Sequence, residues 1–350
     1  MSVQLWLPLL CLLAALLLTG AVRRYALGRQ LLDIPGARSS HHTPTPRGGG
    51  LAIALTVPAA LLALQALGEL DPAPVIALCG AGMAVAVIGF VDDHRPVPAR
   101  WRLLVHAAAA VWALLWLDSA PGVELPALHF GPAGLSTALL TLALAWLLNL
   151  YNFMDGIDGL AGAEAVCTAL GGAILFLVAG RSGEATACFC LAAAAAGFLR
   201  WNLPPARIFL GDVGSGFLGI TLGVLALHAA SLAPQLLWSW LILLGVFVVD
   251  ASITLLHRLI RGERVTQAHR SHAYQHAAQR FGHGPVTATV TAINLLWLLP
   301  IALLVGIDRL AGWPALLIAY APLVLLAHRF SAGLAHAAQA DDANSDQSPR

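Results

Sequence analysis

The chain has 350 residues, 59% of them hydrophobic and 11% charged, with a formal net charge of +1. Soluble domains carry about 25% charged residues, so this composition, with a mean hydropathy of +0.78, excludes an ordinary soluble protein and indicates an integral membrane protein. A net charge near zero offers no electrostatic reason to expect a nucleic-acid partner.

Apolar runs long enough to cross a bilayer as helices fall near 4–22, 49–67, 73–91, 102–117, 133–151, 159–179, 185–200, 213–230, 233–256, 286–306 and 311–328. The expected fold is all-α and polytopic, with about 11 transmembrane helices in one domain over 1–330 and a disordered tail at 331–350. The first run follows no basic residues and no small-residue cleavage site, so it reads as a retained helix rather than a signal peptide. Cys11, Cys79, Cys167, Cys188 and Cys190 form no CxxC pattern and read as small hydrophobes within apolar runs.

With an odd number of spans the two termini face opposite sides, and Arg distribution assigns them. A cytoplasmic C-terminus and a periplasmic N-terminus leave only Arg181 and Arg309, of 19 basic residues, on the outer side. The same assignment gathers the unusual polar sequences on the inner face: "DIPGARSSHHTPTPRGGG", "GFVDDHRPVPARWR", "NFMDGIDG", "RWNLPPARIFLGD" and "HRLIRGERVTQAHRSHAYQHAAQRFGHG". A one-sided site is therefore expected, with no soluble domain left over to hold it.

Asp92 and Asp93 end the third span, Asp155 and Asp158 follow the fifth, and Asp212 stands before the eighth. Any single Asp at a helix end has water as a sufficient partner, but five at one membrane level require compensation. A hard divalent cation with oxygen ligands and retained water is the natural counter-charge, which favours Mg²⁺. Asn152, Asp155 and Asp158, spaced by three, would share a face of a helical turn, and Gly156 and Gly159 would let a ligand approach the backbone. In "FLGDVGSG" the start of the eighth span is expected to offer free N–H groups to phosphate oxygens.

The longest connection on the inner face holds His269, His272 and His276 at helical spacing, with Arg270 beside the first. A zinc site is the competing reading; a hydrogen-bonding and cationic lid over a diphosphate fits the loop's composition better. Arg261, Arg264 and Arg280 read as topogenic charges. In the first loop Arg38, His41, His42 and Arg47 surround a shaped Pro- and Gly-rich segment suited to phosphate. Asn202 and Arg207, which precede Asp212, are further candidates for substrate binding, although loop Asn most often braces backbone. Glu164 and Asp250 are further buried ionisable candidates, and His283 has no distinctive neighbour.

In order, "FVDDH", "NFMDGIDGLAG", "NLPPARIFLGDVGS" and "AHRSHAYQH" resemble the polyprenyl-phosphate N-acetylhexosamine-1-phosphate transferases, the superfamily that includes phospho-MurNAc-pentapeptide translocase. The resemblance runs from about Asp33 to His283 and is strongest to the branch that initiates O-antigen and other surface glycans. It implies transfer of a sugar 1-phosphate from a UDP-N-acetylhexosamine to undecaprenyl phosphate in the bacterial inner membrane, with Mg²⁺, or Mn²⁺ in its place, and a homodimer as a possible assembly. Carried over by motif, Asn152 and Asp212 would contact the metal, Asp92 and Asp93 would lie at the acceptor phosphate and nucleotide, and Asp155 and Asp158 would line the nucleotide pocket. His269, Arg270 and His272 would hold the diphosphate, as would Arg38 and Arg47, where relatives often carry Lys. "HRSH" replaces the three consecutive His of the peptidoglycan branch, which argues against MurNAc-pentapeptide as donor. The rival readings are an intramembrane aspartyl protease, from the paired Asp and the partial motif "FLGD", and a nucleotide-sugar or ion-coupled transporter, which calls for matched repeats.

Overall fold

The computed structural model describes residues 3–36, 40, 43–117, 133–263 and 269–334. Arg38, His41, His42, Arg264 and residues 335–350 of the tail lie outside the described residues. The chain is an all-α polytopic membrane protein. Its long helices are α1 (Val3–Gly28), α2 (Leu51–Ala66), α3 (Pro72–His94), α4 (Ala99–Trp116), α5 (Ala133–Phe153), α6 (Leu160–Val178), α7 (Ser182–Asn202) and α8 (Gly211–Leu232). There follow α9 (Gln235–Leu243), α10 (Gly245–Ile260), α11 (Ala273–Phe281), α12 (His283–Ile293), α13 (Leu299–Gly306) and α14 (Gly312–Arg329). A π turn, Asn294–Leu298, joins α12 to α13.

By length and apolar composition seven of these segments can cross a membrane, and eight when α9 and α10 count as one. Over the expected ninth span, 233–256, the helix is broken: α9 and α10 meet at Leu244 with a bend of 73°. No Pro marks that break, so hydropathy alone reads it as continuous. The first loop also departs from the purely helical expectation. Leu32–Asp33 (β1) and Thr45–Pro46 (β2) pair antiparallel, with Leu32 opposite Pro46 and Asp33 opposite Thr45, which holds Arg47 and Gly48 against the body of the protein.

Helix α8 is the centre of the bundle, and its best apolar window is wholly buried within the protein. Lipid tails are as apolar as Leu, so helices in a membrane gain association mainly from close van der Waals packing, which small residues permit. Gly219 shows the effect: a Cβ there would stand 2.8 Å from Leu148 Cα on α5. On the α3 side, a Cβ on Gly89 would meet the Asp212 carbonyl carbon at 2.5 Å. These contacts set α3 and α5 directly against the start of α8, and so fix where their terminal polar residues arrive.

Candidate active site

Asp93, 4% exposed, sits in the last turn of α3 and serves α8. Its Oδ1 accepts the N–H of Asp212 at 3.1 Å and its Oδ2 that of Val213 at 3.2 Å. A helix start leaves N–H groups without intrahelical partners and carries partial positive charge, so a carboxylate is well matched to it. The expectation that this terminus offers its N–H groups to phosphate is corrected for two of them: Asp93 already takes those of Asp212 and Val213. Gly211, at φ +75, makes the turn possible, and a Cβ there would lie 2.6 Å from Asp93 Oδ2.

Asp92 points the other way. Its Oδ1 accepts from the Val97 N–H at 2.5 Å, and its Oδ2 pairs with Arg102 Nη1 at 2.9 Å. The same Arg102 nitrogen reaches Asp212 Oδ2 at 3.0 Å. Asp212 Oδ1 accepts from Asn152 Nδ2 at 2.9 Å, and Asn152 also donates to Ser215 Oγ at 2.9 Å. One connected polar chain thus joins α3, α4, α5 and α8.

Between α5 and α6 the residues after Met154 form a turn and not the helical face expected for Asn152, Asp155 and Asp158. Gly159, at φ +79, starts α6 from a left-handed conformation that an L side chain would resist. Asp155 shares a cavity of about 250 Å³ with Asp33, Arg47, Asp93, Asp158 and Asp212. Burial, and then the charges of Asp212, Asp93 and Asp158, hold its carboxyl well above the usual carboxylate range. Asp158 accepts the Ala206 N–H at 3.0 Å and faces His283 Nδ1 at 3.2 Å, while His283 Nε2 lies 3.1 Å from the Ser40 carbonyl. Asn202 lines the same cavity and also braces it, accepting from the Gly159 N–H at 3.0 Å and donating to the Ile208 carbonyl at 2.9 Å. Arg207 is exposed and lines neither this cavity nor the next; its carbonyl accepts from Arg23 Nε at 3.1 Å.

The histidine segment is anchored by Asp250, which binds the start of α11. Its carboxylate accepts the N–H groups of Ala273 at 3.0 Å and Tyr274 at 2.9 Å, and faces His272 Nδ1 at 3.3 Å. His272 is 3% exposed and caps α11 reciprocally with Gln275. His269 stacks on it with ring centroids 5.0 Å apart. Burial, with His272 and Arg258 nearby, pushes the His269 imidazole down to about 4, so it is neutral at pH 7. Arg270 supplies a permanent positive charge in this segment and lines a second cavity of about 590 Å³ that shares Ser40, Asp158, Phe209 and His283 with the first. Tyr274 donates to the Phe153 carbonyl at 2.9 Å and its hydroxyl touches the space a Cβ on Gly156 would fill, which joins α11 to the Asp155 turn.

His276 Nδ1 lies 2.8 Å from the Phe330 carbonyl, away from His272. The zinc reading therefore fails on geometry, and among the described residues no three His, Cys, Asp or Glu are placed to chelate a metal alone. The oxygen-rich cavity nonetheless suits a hard cation. At Asp212 such an ion would complete its shell from Asn152, water and substrate phosphate, the usual way Mg²⁺ is held. The sequence does not single out Arg102, Ser215 and His283, because their partners are distant in the chain, nor Gln275, which caps α11 with His272 and lines the first cavity.

The glycosyl transferase family 4 model matches residues 75–230, which hold Asp92, Asp93, Asn152, Asp155, Asp158 and Asp212 but not the histidine segment. The probable undecaprenyl-phosphate N-acetylglucosaminyl 1-phosphate transferase of Bacillus subtilis is 28% identical over 275 residues, 77% of this chain and 76% of its own. The decaprenyl-phosphate N-acetylglucosaminephosphotransferase of Mycobacterium tuberculosis is 31% identical over 319 residues, 80% and 76% of the two chains. A phospho-N-acetylmuramoyl-pentapeptide-transferase of Picosynechococcus is 36% identical over 223 residues, 59% and 58%. With its carboxylate motifs inside the matched region and this coverage of its relatives, the chain belongs to glycosyl transferase family 4.

Proposed function

We propose that this protein transfers an N-acetylhexosamine 1-phosphate, of GlcNAc, FucNAc or QuiNAc type, from a UDP-sugar to undecaprenyl phosphate, releasing UMP. In this reading it performs the first membrane step of O-antigen or another surface polysaccharide, at the cytoplasmic face of the bacterial inner membrane. The observation that carries it is the cavity where Asp93, Asp155, Asp158 and Asp212 meet beside Arg47. Carboxylates this crowded call for opposite charge, and a divalent cation carrying a diphosphate brings the charge and the substrate together. The names of the B. subtilis and M. tuberculosis relatives support the same chemistry.

Asp212 and Asn152 would hold Mg²⁺, or Mn²⁺ in its place, and the ion would neutralise charge on the diphosphate oxygens. Arg102 fixes the Asp92 and Asp212 carboxylates, and Asp93 fixes the end of α8 on which Asp212 rides. Arg47 and Arg270 face the two cavities and supply cations to phosphate oxygens. His269, which lines neither cavity, would add a hydrogen bond from a neutral ring. An oxygen of the lipid phosphate attacks the β-phosphorus, the bond from that phosphorus to the bridging oxygen breaks, and UMP leaves with the oxygen. A phosphate monoester with a second pKa near 6 is already largely dianionic at pH 7, so no base is needed to activate it. Direct attack is therefore favoured over a phospho-Asp92 intermediate. The location fits both substrates, since one has a polar head and the other an isoprenoid tail.

The test is purified protein with undecaprenyl phosphate, Mg²⁺ and a panel of UDP-sugars, scored for UMP. One or a few N-acetylated sugars should support release. UDP-sugar uptake into vesicles without UMP release would establish the transporter reading instead.

A further inference from the structure

Glu164 lies in the second turn of α6, 0% exposed, and no step of the proposed transfer uses it. Asn294, 3% exposed, opens the π turn after α12. Asn294 Nδ2 donates to Glu164 Oε2 at 2.5 Å. The second oxygen of each group, Glu164 Oε1 and Asn294 Oδ1, is buried without a hydrogen-bond partner. Thr168, one turn further along α6, directs its hydroxyl at the Leu243 carbonyl at 3.5 Å, at the break between α9 and α10.

No ion pair balances Glu164 among the described residues. The titratable groups that sense its charge are Tyr151, Cys167 and Tyr320. Tyr151 and Tyr320 already give their hydroxyl hydrogens to the Ala161 and Leu241 carbonyls. An ionised carboxylate would thus have no counter-charge in a low-dielectric interior, with only the Asn294 amide and the Thr168 hydroxyl near enough to donate to it, and Asn294 Oδ1 would still lack a donor. A single hydrogen satisfies both. A carboxylic acid and a primary amide can form two hydrogen bonds in one closed ring, the amide N–H to one acid oxygen and the acid O–H to the amide oxygen. The observed bond is the first half of that ring, and the two orphan oxygens are the atoms its second half requires. Turning the amide over exchanges the halves and leaves the need for one proton unchanged.

We propose that Glu164 and Asn294 form a proton-binding site within the membrane region, in which a proton on Glu164 Oε1 is donated to Asn294 Oδ1. The closed acid–amide ring ties α6, which emerges directly from the Asp155–Asp158 turn, to the π turn of α12. A Na⁺ ion is the rival occupant, but it needs several oxygens at once, and beyond this pair the neighbourhood offers only the Thr168 hydroxyl and the Leu243 carbonyl. The proposal stands independently of the transferase reading.

Infrared spectroscopy on the full chain in ester-free detergent at neutral pH tests it. The wild type should show the carbonyl stretch of a protonated carboxylic acid, displaced to lower frequency when glutamate is ¹³C-labelled at the carboxyl. Glu164→Gln, which builds the same ring from two amides, should lose that band and keep the thermal midpoint. Asn294→Leu should raise the band's frequency and lower the midpoint. Absence of a label-sensitive acid band from the wild type overturns the proposal, as does a band that survives in Glu164→Gln. A midpoint that rises with Na⁺ in the wild type but not in Glu164→Gln overturns it in favour of the cation. The labelled wild type gives an answer even where a variant does not fold.

Discussion

Asp93 and Asp212 meet through the backbone of one and the side chain of the other: the Asp93 carboxylate accepts the Asp212 N–H at 3.1 Å, while the Asp212 carboxylate turns to Arg102 and Asn152. The two acidic residues thus have separate tasks, one holding a helix start and one presented to the cavity. Asp93→Ala should lower stability by about 1–2 kcal/mol, the usual cost of a lost cap, and abolish turnover. Asp212→Ala should abolish turnover with a smaller loss of stability. Chemical unfolding in detergent beside UMP release separates the two; equal destabilisation would contradict the division.

Gly211 is the hinge of that arrangement. With φ at +75, and only 2.6 Å between the position of a Cβ and Asp93 Oδ2, a side chain has no relaxed place there. Gly211→Ala should cost about 1–3 kcal/mol and reduce activity at least tenfold. A thermal midpoint equal to that of the wild type would show that the turn tolerates a side chain.

Asp250 should behave as a positioning residue for the histidine segment. Asp250→Ala leaves the Ala273 and Tyr274 N–H groups and the His272 ring without their acceptor, at about 1–3 kcal/mol for each buried group left unsatisfied. The expected signature is faster proteolysis near residues 269–274 and a raised KM for the UDP-sugar. Unchanged cleavage and KM would assign the segment no role at the site.

His269 makes stability depend on pH in a defined direction. Its value falls from 6.5 to about 4 on folding, so between those values the unfolded chain binds the extra proton. Stability should therefore decline as pH falls from 6.5 toward 4 and be unaffected by this residue above 6.5. His269→Gln should flatten that decline, read as the thermal midpoint across the window; an unaltered slope would contradict a neutral, buried imidazole.

Much of the fold was legible because membrane helices announce themselves locally, as apolar runs ended by charge, Gly or Pro. Asp93, Asp155, Asp158 and Asp212, singled out at helix ends in the sequence, line one cavity, whereas Asp92 reaches Asp212 only through Arg102. What the sequence hid depends on distant partners. Arg102 stands ten positions from Asp92 but 110 from Asp212, and His283 lies 125 positions from Asp158, so no local pattern announces either pairing. The bend at Leu244 lacks a Pro or a polar break. The start of α8 resembled an anion cradle because nothing near it in sequence reveals that Asp93 is its cap.

The most direct measurement is calorimetric binding of UDP to the purified protein with Mg²⁺ and with a chelator, in the wild type and in Asp212→Ala. If the converging carboxylates grip a metal-held diphosphate, Mg²⁺ should tighten binding at least tenfold in the wild type and have no effect in Asp212→Ala. Equal affinity with and without the metal, or full Mg²⁺-dependent binding by Asp212→Ala, would contradict that arrangement.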